Sequence, residues 1–432
     1  MARKKINVIT LGCSKNLVDS ERLMRLLHDA GLDVCHDDTV QQCDIIVLNT
    51  CGFIGDAKEE SIQAILEAVD AKRRGEVLSV YVMGCLSQRY CKELKNEIPE
   101  VDGWYGKFDW KSLVNHLTRL YPSTAPYDRV ITTPSHHAYL KVAEGCNRFC
   151  SFCAIPLITG RYTSRPIEEI EQEVRMLVDR GVKELNVIAQ DLSSYGIDLY
   201  GRMMLPQLVD RIANIKGVEW IRLHYAYPAQ FPMELLDVME RHPNVCRYID
   251  IALQHINDAV LGNMRRHITA EETRSLICEM RRRIPGLHIR TTLMVGFPGE
   301  GEAEFDELMR FVRDMRFERM GAFAYCEEED TFGAKNFTDS IPDDVKQERL
   351  NRLMKLQEDI SLEIQRSKIG QVMRVIVDRE EDDYYIGRSQ WDSPEVDPEV
   401  LISKDFPLEC GEFYNVEIDD AMPFELMAHV VK

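Results

Sequence analysis

Three apolar runs near the start of the chain each end at a cysteine, and this repetition limits the fold more than any other feature. Cys13 follows INVITLG, Cys51 follows IIVLNT and Cys85 follows VYVMG. Runs rich in Val and Ile predict buried parallel strands, and helical patterns such as 20–31 and 57–75 come after the cysteines. Since the carboxyl ends of parallel strands lie along one edge, we expect the three cysteines to converge there.

The equivalent positions of these three cysteines suggest a common function. Three thiolates at one sheet edge form a metal site, so we predict Cys13, Cys51 and Cys85 to be metal ligands. The alternative is that each is a small buried residue beside a glycine turn, which is common for any one cysteine. All three occupying the same place in a repeated unit favours ligation.

A second set of cysteines stands in EGCNRFCSFC, at Cys146, Cys150 and Cys153. Three thiolates leave one metal position open, and a [4Fe–4S] cluster held by three cysteines can bind a small molecule at its free iron. Zinc is the second hypothesis, since it needs a fourth ligand or a catalytic water, and no CxxC pair follows at zinc-finger spacing. The third hypothesis is that the three cysteines are close in sequence by chance. Their spacing favours the iron–sulfur cluster.

Cellular location limits what the thiols can do. The 432-residue chain has no apolar run long enough to span a bilayer, and MARKKINVITLG lacks a signal-peptide cleavage site. We therefore expect a cytoplasmic protein, in which 13 cysteines serve metal binding or catalysis and do not form disulfides. The other seven show no spacing signal and are predicted to be core or incidental thiols: Cys35, Cys43, Cys91, Cys246, Cys278, Cys326 and Cys410.

The rest of the chain predicts two further domains. A proline-containing linker at 121–137 leads into the strand before Cys146, and strand-like runs alternate with helical segments beyond it. Six β/α units in all indicate a partial (β/α)6 barrel within an α/β fold. The five later strands are predicted at 182–190, 220–226, 248–254, 288–297 and 319–325, and the domains at 1–125, 132–365 and 368–432.

Polar residues follow three of these strands, where barrel enzymes place their sites. His255 among them could act as an acid or base, or could be a hydrogen-bonded structural residue. The segments comprise Gln190, Asp191, Ser193, Ser194 and Tyr195 after one strand, Gln254, His255, Asn257 and Asp258 after another, and the turn 296–300 after a third.

The C-terminal region is strongly acidic. A charged helix is predicted at 343–370, and short alternating runs after it indicate a small antiparallel β-barrel. Residues 369–432 contain sixteen Asp and Glu against five Lys and Arg, a net charge of −11 out of −19. Such a surface repels phosphate backbones and attracts a basic protein, unless it serves only solubility.

Several motifs resemble those of one family. Phe152 before the last cysteine of CxxxCxxC, and the flanking segments 139–156 and 164–166, are similar to radical S-adenosylmethionine methylthiotransferases, which carry three more cysteines in an N-terminal domain. LGCSKNLVDSE, NTCGFIGDAKEESI, GCLSQRY and GRSQWDSPEVD resemble the branch that modifies a ribosomal-protein aspartate. The C-terminal region resembles the TRAM module of the same enzymes.

The resemblance implies a function and its cofactors. Each cysteine triad would hold one [4Fe–4S] cluster, and S-adenosylmethionine would serve as both radical source and methyl donor. Phe152, Gln190 and Asp191 would line the cofactor site. The implied reaction is methylthiolation of an aspartate β-carbon in small-subunit ribosomal protein twelve. An electron donor such as flavodoxin is implied as a second partner, and neither membrane nor nucleic acid is expected as a direct partner.

Three alternatives stay open at this point. A transfer-RNA adenosine methylthiotransferase would share both triads, although it would favour a basic terminal domain. A non-enzymatic iron–sulfur or zinc scaffold would explain the cysteines without the barrel. A radical enzyme with another substrate could use the N-terminal cluster for electron transfer, which needs the same ligands as sulfur donation.

Overall fold

The computed structural model describes residues 4–38, 43–119, 124–125 and 127–431. It contains two parallel sheets and one closed β-barrel, arranged in chain order. The predicted linker lies partly outside the described residues, since 121–123 and 126 are not among them. In the part of the chain that is described, no helix combines the length and apolar character needed to cross a membrane.

The N-terminal domain has five strands and four helices in its described residues. The strands are β1 (Lys5–Thr10), β2 (Asp33–His36), β3 (Ile45–Thr50), β4 (Ser79–Gly84) and β5 (Gly103–Trp104), and the helices are α1 (Ser14–Asp29), α2 (Gly55–Arg73), α3 (Cys85–Glu97) and α4 (Trp110–Thr118). The five strands form a parallel sheet in the order β2-β1-β3-β4-β5. Alternate residues of β3 point to opposite faces: Ile46 packs with α2 and α3, and Val47 packs with α1 and α4.

Helix α1 begins earlier than the predicted 20–31. Its first turn contains Lys15 and Asn16, which are polar yet buried, so hydrophobic periodicity did not reveal it. The helix begins immediately after Cys13, which occupies the N-cap position with extended backbone. Strand, cysteine and helix are thus directly joined.

The central sheet has six parallel strands in the open order β13-β12-β11-β10-β9-β6, which confirms the predicted six β/α units. A small antiparallel pair, β7 (Ala143–Glu144) and β8 (Thr163–Ser164), lies beside it. The six strands are β6 (His137–Lys141), β9 (Glu184–Ile188), β10 (Trp220–Ala226), β11 (Val245–Ile251), β12 (His288–Val295) and β13 (Arg319–Ala324). The helices are α5 (Ile155–Thr159), α6 (Ile167–Asp179), α7 (Ile197–Tyr200), α8 (Leu205–Ala213), α9 (Glu234–Arg241), α10 (Asp258–Asn263), α11 (Ala270–Arg283), α12 (Glu302–Met315) and α13 (Phe332–Asn336).

One strand lies earlier than predicted. Strand β11 spans Val245–Ile251, whereas the sequence indicated 248–254. Val245 and Cys246 are buried and extend the strand at its start, and Gln254 at the other end has a left-handed backbone (φ +71°) that cannot continue a strand.

The C-terminal domain corrects one prediction. Helix α14 (Asp343–Arg366) leads to a closed barrel of β14 (Val372–Glu380), β15 (Tyr384–Ser389), β16 (Glu399–Ser403), β17 (Phe413–Ala421) and β18 (Glu425–Val430). Four pairings are antiparallel as predicted, but β16 pairs with β18 in parallel. A ring with an odd number of strands cannot alternate direction throughout, so one parallel pair is unavoidable.

The barrel docks on the amino ends of the central strands. Arg319 at the start of β13 forms an ion pair with Asp392 at 2.5 Å, and the Tyr248 hydroxyl on β11 donates to Asp397 at 2.8 Å. Barrel enzymes use the opposite, carboxyl ends for chemistry. The C-terminal domain therefore lies away from the end at which a site is expected.

Candidate active site

All six predicted cysteine ligands line one cavity of about 340 Å³. Cys13, Cys51 and Cys85 come from the carboxyl edge of the N-terminal sheet, whereas the other three follow β6 and β7 of the central domain. The cavity also contains residues that follow β9, β10 and β11. The two triads are therefore brought to a common space between the two sheets.

Close packing fixes the N-terminal triad. Gly12 has φ +90°, and a Cβ there would lie 2.9 Å from the Cys51 Sγ, so only glycine fits. The Cys51 backbone N–H donates to the Ser61 Oγ at 3.0 Å, and the Cys85 thiol lies 3.6 Å from the Asn16 Oδ1 that accepts its proton. The sheet edge thus sets the positions of these sulfurs.

A tight loop holds the second triad. The Cys146 N–H donates to the Gly160 carbonyl at 3.3 Å, and the Cys153 N–H donates to the Cys150 carbonyl at 3.1 Å. The Arg266 guanidinium donates to the Cys150 Sγ at 3.3 Å. This contact helps fix the position of the Cys150 sulfur in the loop.

Burial governs the acidity of the thiols in the metal-free protein. It raises the pKa of Cys85 and of Cys146 to about 12, and it also raises the pKa of Cys51 and Cys153. The neighbouring cysteines of each triad raise these pKa values further. Since ligands must be deprotonated, metal binding at either triad has to release protons.

The chemistry of the donor sets indicates which groups they could hold. Over residues 4–38, 43–119, 124–125 and 127–431, no three His, Cys, Asp or Glu side chains are close enough to hold a single metal ion. Each triad offers three cysteine thiols on the wall of the cavity, and thiolate is the ligand type that [4Fe–4S] clusters take. In their chemistry both donor sets fit a cluster that is held by three cysteines.

The three residues predicted to bind S-adenosylmethionine, Phe152, Gln190 and Asp191, also line the cavity. Asp191 accepts hydrogen bonds from Arg148 at 2.6 Å and Ser194 at 2.5 Å through Oδ2, while its Oδ1 is buried and unpaired. The Gln190 Oε1 is likewise buried and unpaired. Two open acceptors fit a ligand with amino and hydroxyl groups, because buried acceptors are rarely left without a donor.

His255 and the turn at 296–300 do not line the cavity. His255 is fully buried, its Nε2 lies 3.2 Å from the Glu300 carboxylate, and its Nδ1 accepts the Asn257 N–H at 3.0 Å. Arg349 also binds Glu300 at 2.9 Å. These contacts support the structural interpretation of His255 over an acid–base role.

Four cations in the cavity wall were missed by the sequence analysis. Lysine and arginine rarely become buried, so a sequence gives no reason to expect them in a cavity. Lys107 is 2% exposed, and its ammonium lies 2.9 Å from Asp19 and 3.3 Å from the Asn16 Oδ1. The other three are Lys15, Arg148 and Arg266.

A second cavity of about 430 Å³ adjoins the first and shares Phe53, Phe152, Gln254 and Thr292 with it. Its wall is completed by the end of β13 and the start of α2. At its rim Glu328 accepts hydrogen bonds from Lys58 at 3.0 Å and Arg89 at 2.8 Å, so the N-terminal and central domains are tied together there.

Comparison with known proteins agrees with this architecture. Residues 5–106 match "Uncharacterized protein family UPF0004", residues 140–312 the "Radical SAM superfamily", and residues 369–431 the "TRAM domain". Among solved structures, the radical S-adenosylmethionine methyltransferase TsrM from Kitasatospora setae, bound to tryptophan and a cofactor analogue, has a TM-score of 0.56 at 14% identity, covering 74% of this chain and 72% of that one. The cobalamin-dependent radical enzyme OxsB has a TM-score of 0.52 at 12% identity, covering 83% and 56%. At these identities the likeness concerns the fold.

Curated relatives are much more similar. Proteins named "Ribosomal protein uS12 methylthiotransferase RimO" from Parabacteroides distasonis and Phocaeicola vulgatus are 58% and 59% identical, each covering 100% of both chains. The protein of the same name from Flavobacterium johnsoniae is 50% identical over 99% of this chain and 98% of its own.

The domain order and the radical SAM core define the class of protein. It is a radical S-adenosylmethionine enzyme of the methylthiotransferase type, with UPF0004 and TRAM domains on either side of the core. Within that class, the full-length similarity at 58% identity places it in one family. The chain belongs to the RimO family of methylthiotransferases.

Proposed function

We propose that this enzyme attaches a methylthio group to the β-carbon of an aspartate in ribosomal protein uS12, small-subunit ribosomal protein twelve. The relatives named above are described as acting on this protein. The observation that supports the reaction most strongly is the shared cavity, in which two cysteine triads face one space of about 340 Å³. A reaction that joins a sulfur to a carbon radical requires both partners in one enclosed place.

In this proposal each triad holds its own [4Fe–4S] cluster. Cys146, Cys150 and Cys153 hold one cluster and leave an open position for S-adenosylmethionine, while Cys13, Cys51 and Cys85 hold the other. When bound, these groups supply the reductive cleavage of S-adenosylmethionine and the sulfur that is transferred.

The protein's own residues orient the cofactor and exclude water. Asp191, held by Arg148 and Ser194, offers its free Oδ1 to a donor group of S-adenosylmethionine, and Gln190 offers its free Oε1. Arg148 and Arg266 both stack on the ring of Tyr227, each guanidinium 4.1 Å from the ring centroid, and the ring so helps fix both cations. Apolar side chains, among them Phe53, Phe152, Ile155 and Ile158, cover much of the remaining wall.

Surface charge supports a basic protein partner. Some C-terminal acidic residues are used internally, since Asp378, Asp392 and Asp397 pair with cations of the barrel or of the central domain. The exposed surface still contains four consecutive acidic residues, 380–383, at the end of β14 and in the turn to β15. Such a surface attracts a basic ribosomal protein and repels RNA phosphates. The proposed substrate places the enzyme in the cytoplasm, with an electron donor such as flavodoxin.

The experiment is an anaerobic assay of the reconstituted, reduced protein. A uS12 loop peptide and an adenosine-containing transfer-RNA fragment are offered in separate reactions, and products are followed by mass spectrometry. We expect 5′-deoxyadenosine and a peptide heavier by one methylthio group. Modification of the RNA, or 5′-deoxyadenosine without either product, would contradict the proposed substrate.

A further inference from the structure

Lys15 differs from the other cations of the active-site cavity. Lys107 pairs with Asp19 at 2.9 Å, Arg148 pairs with Asp191 at 2.6 Å, and Arg266 donates to the Cys150 Sγ at 3.3 Å. Within the described part of the chain, the Lys15 ammonium has neither a carboxylate nor any hydrogen-bond acceptor as partner. It is nevertheless only 8% exposed.

The Lys15 ammonium lies against an aromatic ring. Its Nζ lies 3.0 Å from the centroid of Tyr225, in a cation–π arrangement that orients the charge without neutralising it. Lys15 lines the cavity, and in the described part of the chain its ammonium has no anionic partner there. The ammonium is therefore available to bind an anion that enters the cavity.

Backbone strain at Tyr225 is a second indication of a ligand site beside Lys15. Tyr225 near the end of β10 has φ +64°, a conformation that a bulky residue adopts only under strain. Its backbone N–H donates to the buried Asp250 at 3.2 Å, which helps hold this conformation. Strained residues of this kind cluster at ligand sites, and Tyr225 together with Lys15 lines the cavity between the triads.

We infer that the Lys15 ammonium, positioned on the Tyr225 ring, binds the side-chain carboxylate of the substrate aspartate. This inference rests on the proposed function and adds the residue that selects the side chain. A carboxylate bound there would lie inside the cavity that both cysteine triads line, where carbon and sulfur must meet. An asparagine side chain of nearly the same shape would forfeit the charge-assisted hydrogen bond.

Peptide binding provides a test that does not depend on turnover. The affinities of the uS12 loop peptide and of its Asp→Asn counterpart are measured by fluorescence anisotropy on reconstituted protein. We expect the wild-type protein to prefer the aspartate peptide roughly tenfold or more, the range of a hydrogen bond between charged groups. Equal binding of the two peptides by the wild-type protein would overturn the inference without any variant.

Variants then assign the preference to Lys15. Lys15→Gln should bind both peptides equally, Lys15→Arg should keep most of the preference, and Lys216→Gln, which removes an exposed lysine, should keep all of it. Preference retained in Lys15→Gln would overturn the inference. So would weaker binding of S-adenosylmethionine to this variant, since the cation would then serve the cofactor carboxylate.

The inference and the proposed function fail in different ways. If the wild-type protein modifies no peptide, the proposed function is wrong. If it modifies the peptide and Lys15→Gln still prefers aspartate, only the role of Lys15 is wrong. Iron content should be unchanged in Lys15→Gln, and a loss of iron there would overturn the inference, because it would show that Lys15 supports the N-terminal triad instead.

Discussion

Arg388 donates hydrogen bonds to both carboxylate oxygens of Glu184, at 3.1 Å and 2.8 Å, and both side chains are buried. Glu184 begins β9 of the central sheet, whereas Arg388 belongs to β15 of the C-terminal barrel. Burial alone would raise the pKa of Glu184, but Arg388 and then Arg222 lower it to about 2. The pair is therefore ionised at neutral pH and joins the two domains.

Arg388→Ala should lower the free energy of unfolding by about 3–5 kcal/mol, because it leaves a buried carboxylate with only part of its compensation. Urea denaturation followed by circular dichroism measures the change. Arg374→Ala is the matched control, since Arg374 pairs with Glu219 at 2.8 Å and both side chains are 45% exposed. The control should lose no more than about 1 kcal/mol, and equal losses in the two variants would contradict this account.

The cysteine positions were predictable from sequence, whereas their surroundings were not. Cys51 and Cys85 follow apolar strands, and parallel strands share an edge, so local patterns were enough to predict that they meet. Lys15 and Lys107 come from different parts of the chain, and only the packing of the whole domain brings both side chains to the wall of the same cavity. A lysine near the start of a helix is normally exposed to solvent. No local sequence pattern shows that Lys15 and Lys107 are buried instead.

Residue spacing also could not predict how the barrel is joined to the core. The acidic count in the C-terminal region indicated a charged surface, but Asp392 and Asp397 point inward and bind Arg319 and Arg290. Such pairs link residues more than 70 positions apart, and no periodic pattern relates them. The sequence predicted the sign of the surface charge and overestimated the number of exposed acidic residues.

Stability should fall as the pH falls below about 6.5, partly through His137. Burial, followed by the nearby Arg388, lowers its pKa in the folded protein to about 4, against about 6.5 when unfolded. Well above pH 6.5 the His137 side chain is neutral in both the folded and the unfolded protein, so it causes no loss of stability there. Below it the unfolded chain binds the proton first, so His137 removes about 2 kcal/mol between about pH 7 and about pH 5.

Denaturation of the His137→Gln variant measures this contribution. The variant should lose less stability than the wild-type protein over the same pH interval, whatever its absolute stability. Other groups titrate in both proteins, so the difference between the two slopes isolates His137. Parallel slopes would show that His137 takes up its proton equally in the folded and unfolded states.

Gly145→Ala should selectively empty the Cys146 triad. Gly145 has φ +79°, and an added Cβ would overlap the Arg161 carbonyl oxygen, so the loop must move and displace Cys146. Gly201→Ala is the control, because Gly201 has a similar φ of +71°, open space around the added Cβ and a position outside the cavity. Iron analysis after reconstitution should show about half the wild-type iron in Gly145→Ala and normal iron in Gly201→Ala.

The two triads should also separate in function when one cysteine of each is removed. Cys146→Ala should abolish S-adenosylmethionine cleavage, because the open position that binds the cofactor is lost. Cys85→Ala should still form 5′-deoxyadenosine but give no methylthiolated peptide, because only the N-terminal triad is disrupted. Each variant should contain about half the wild-type iron.

Cys278→Ala serves as the control for this pair, since Cys278 is exposed and lies outside the cavity. It should match the wild-type protein in iron content, in 5′-deoxyadenosine and in modified peptide. If Cys85→Ala lost cleavage as completely as Cys146→Ala, the N-terminal triad would be required for delivery of the electron. If Cys85→Ala still produced methylthiolated peptide, that triad would not be the site of the transferred sulfur. Cleavage without transfer is the outcome expected from two triads with separate tasks in one cavity.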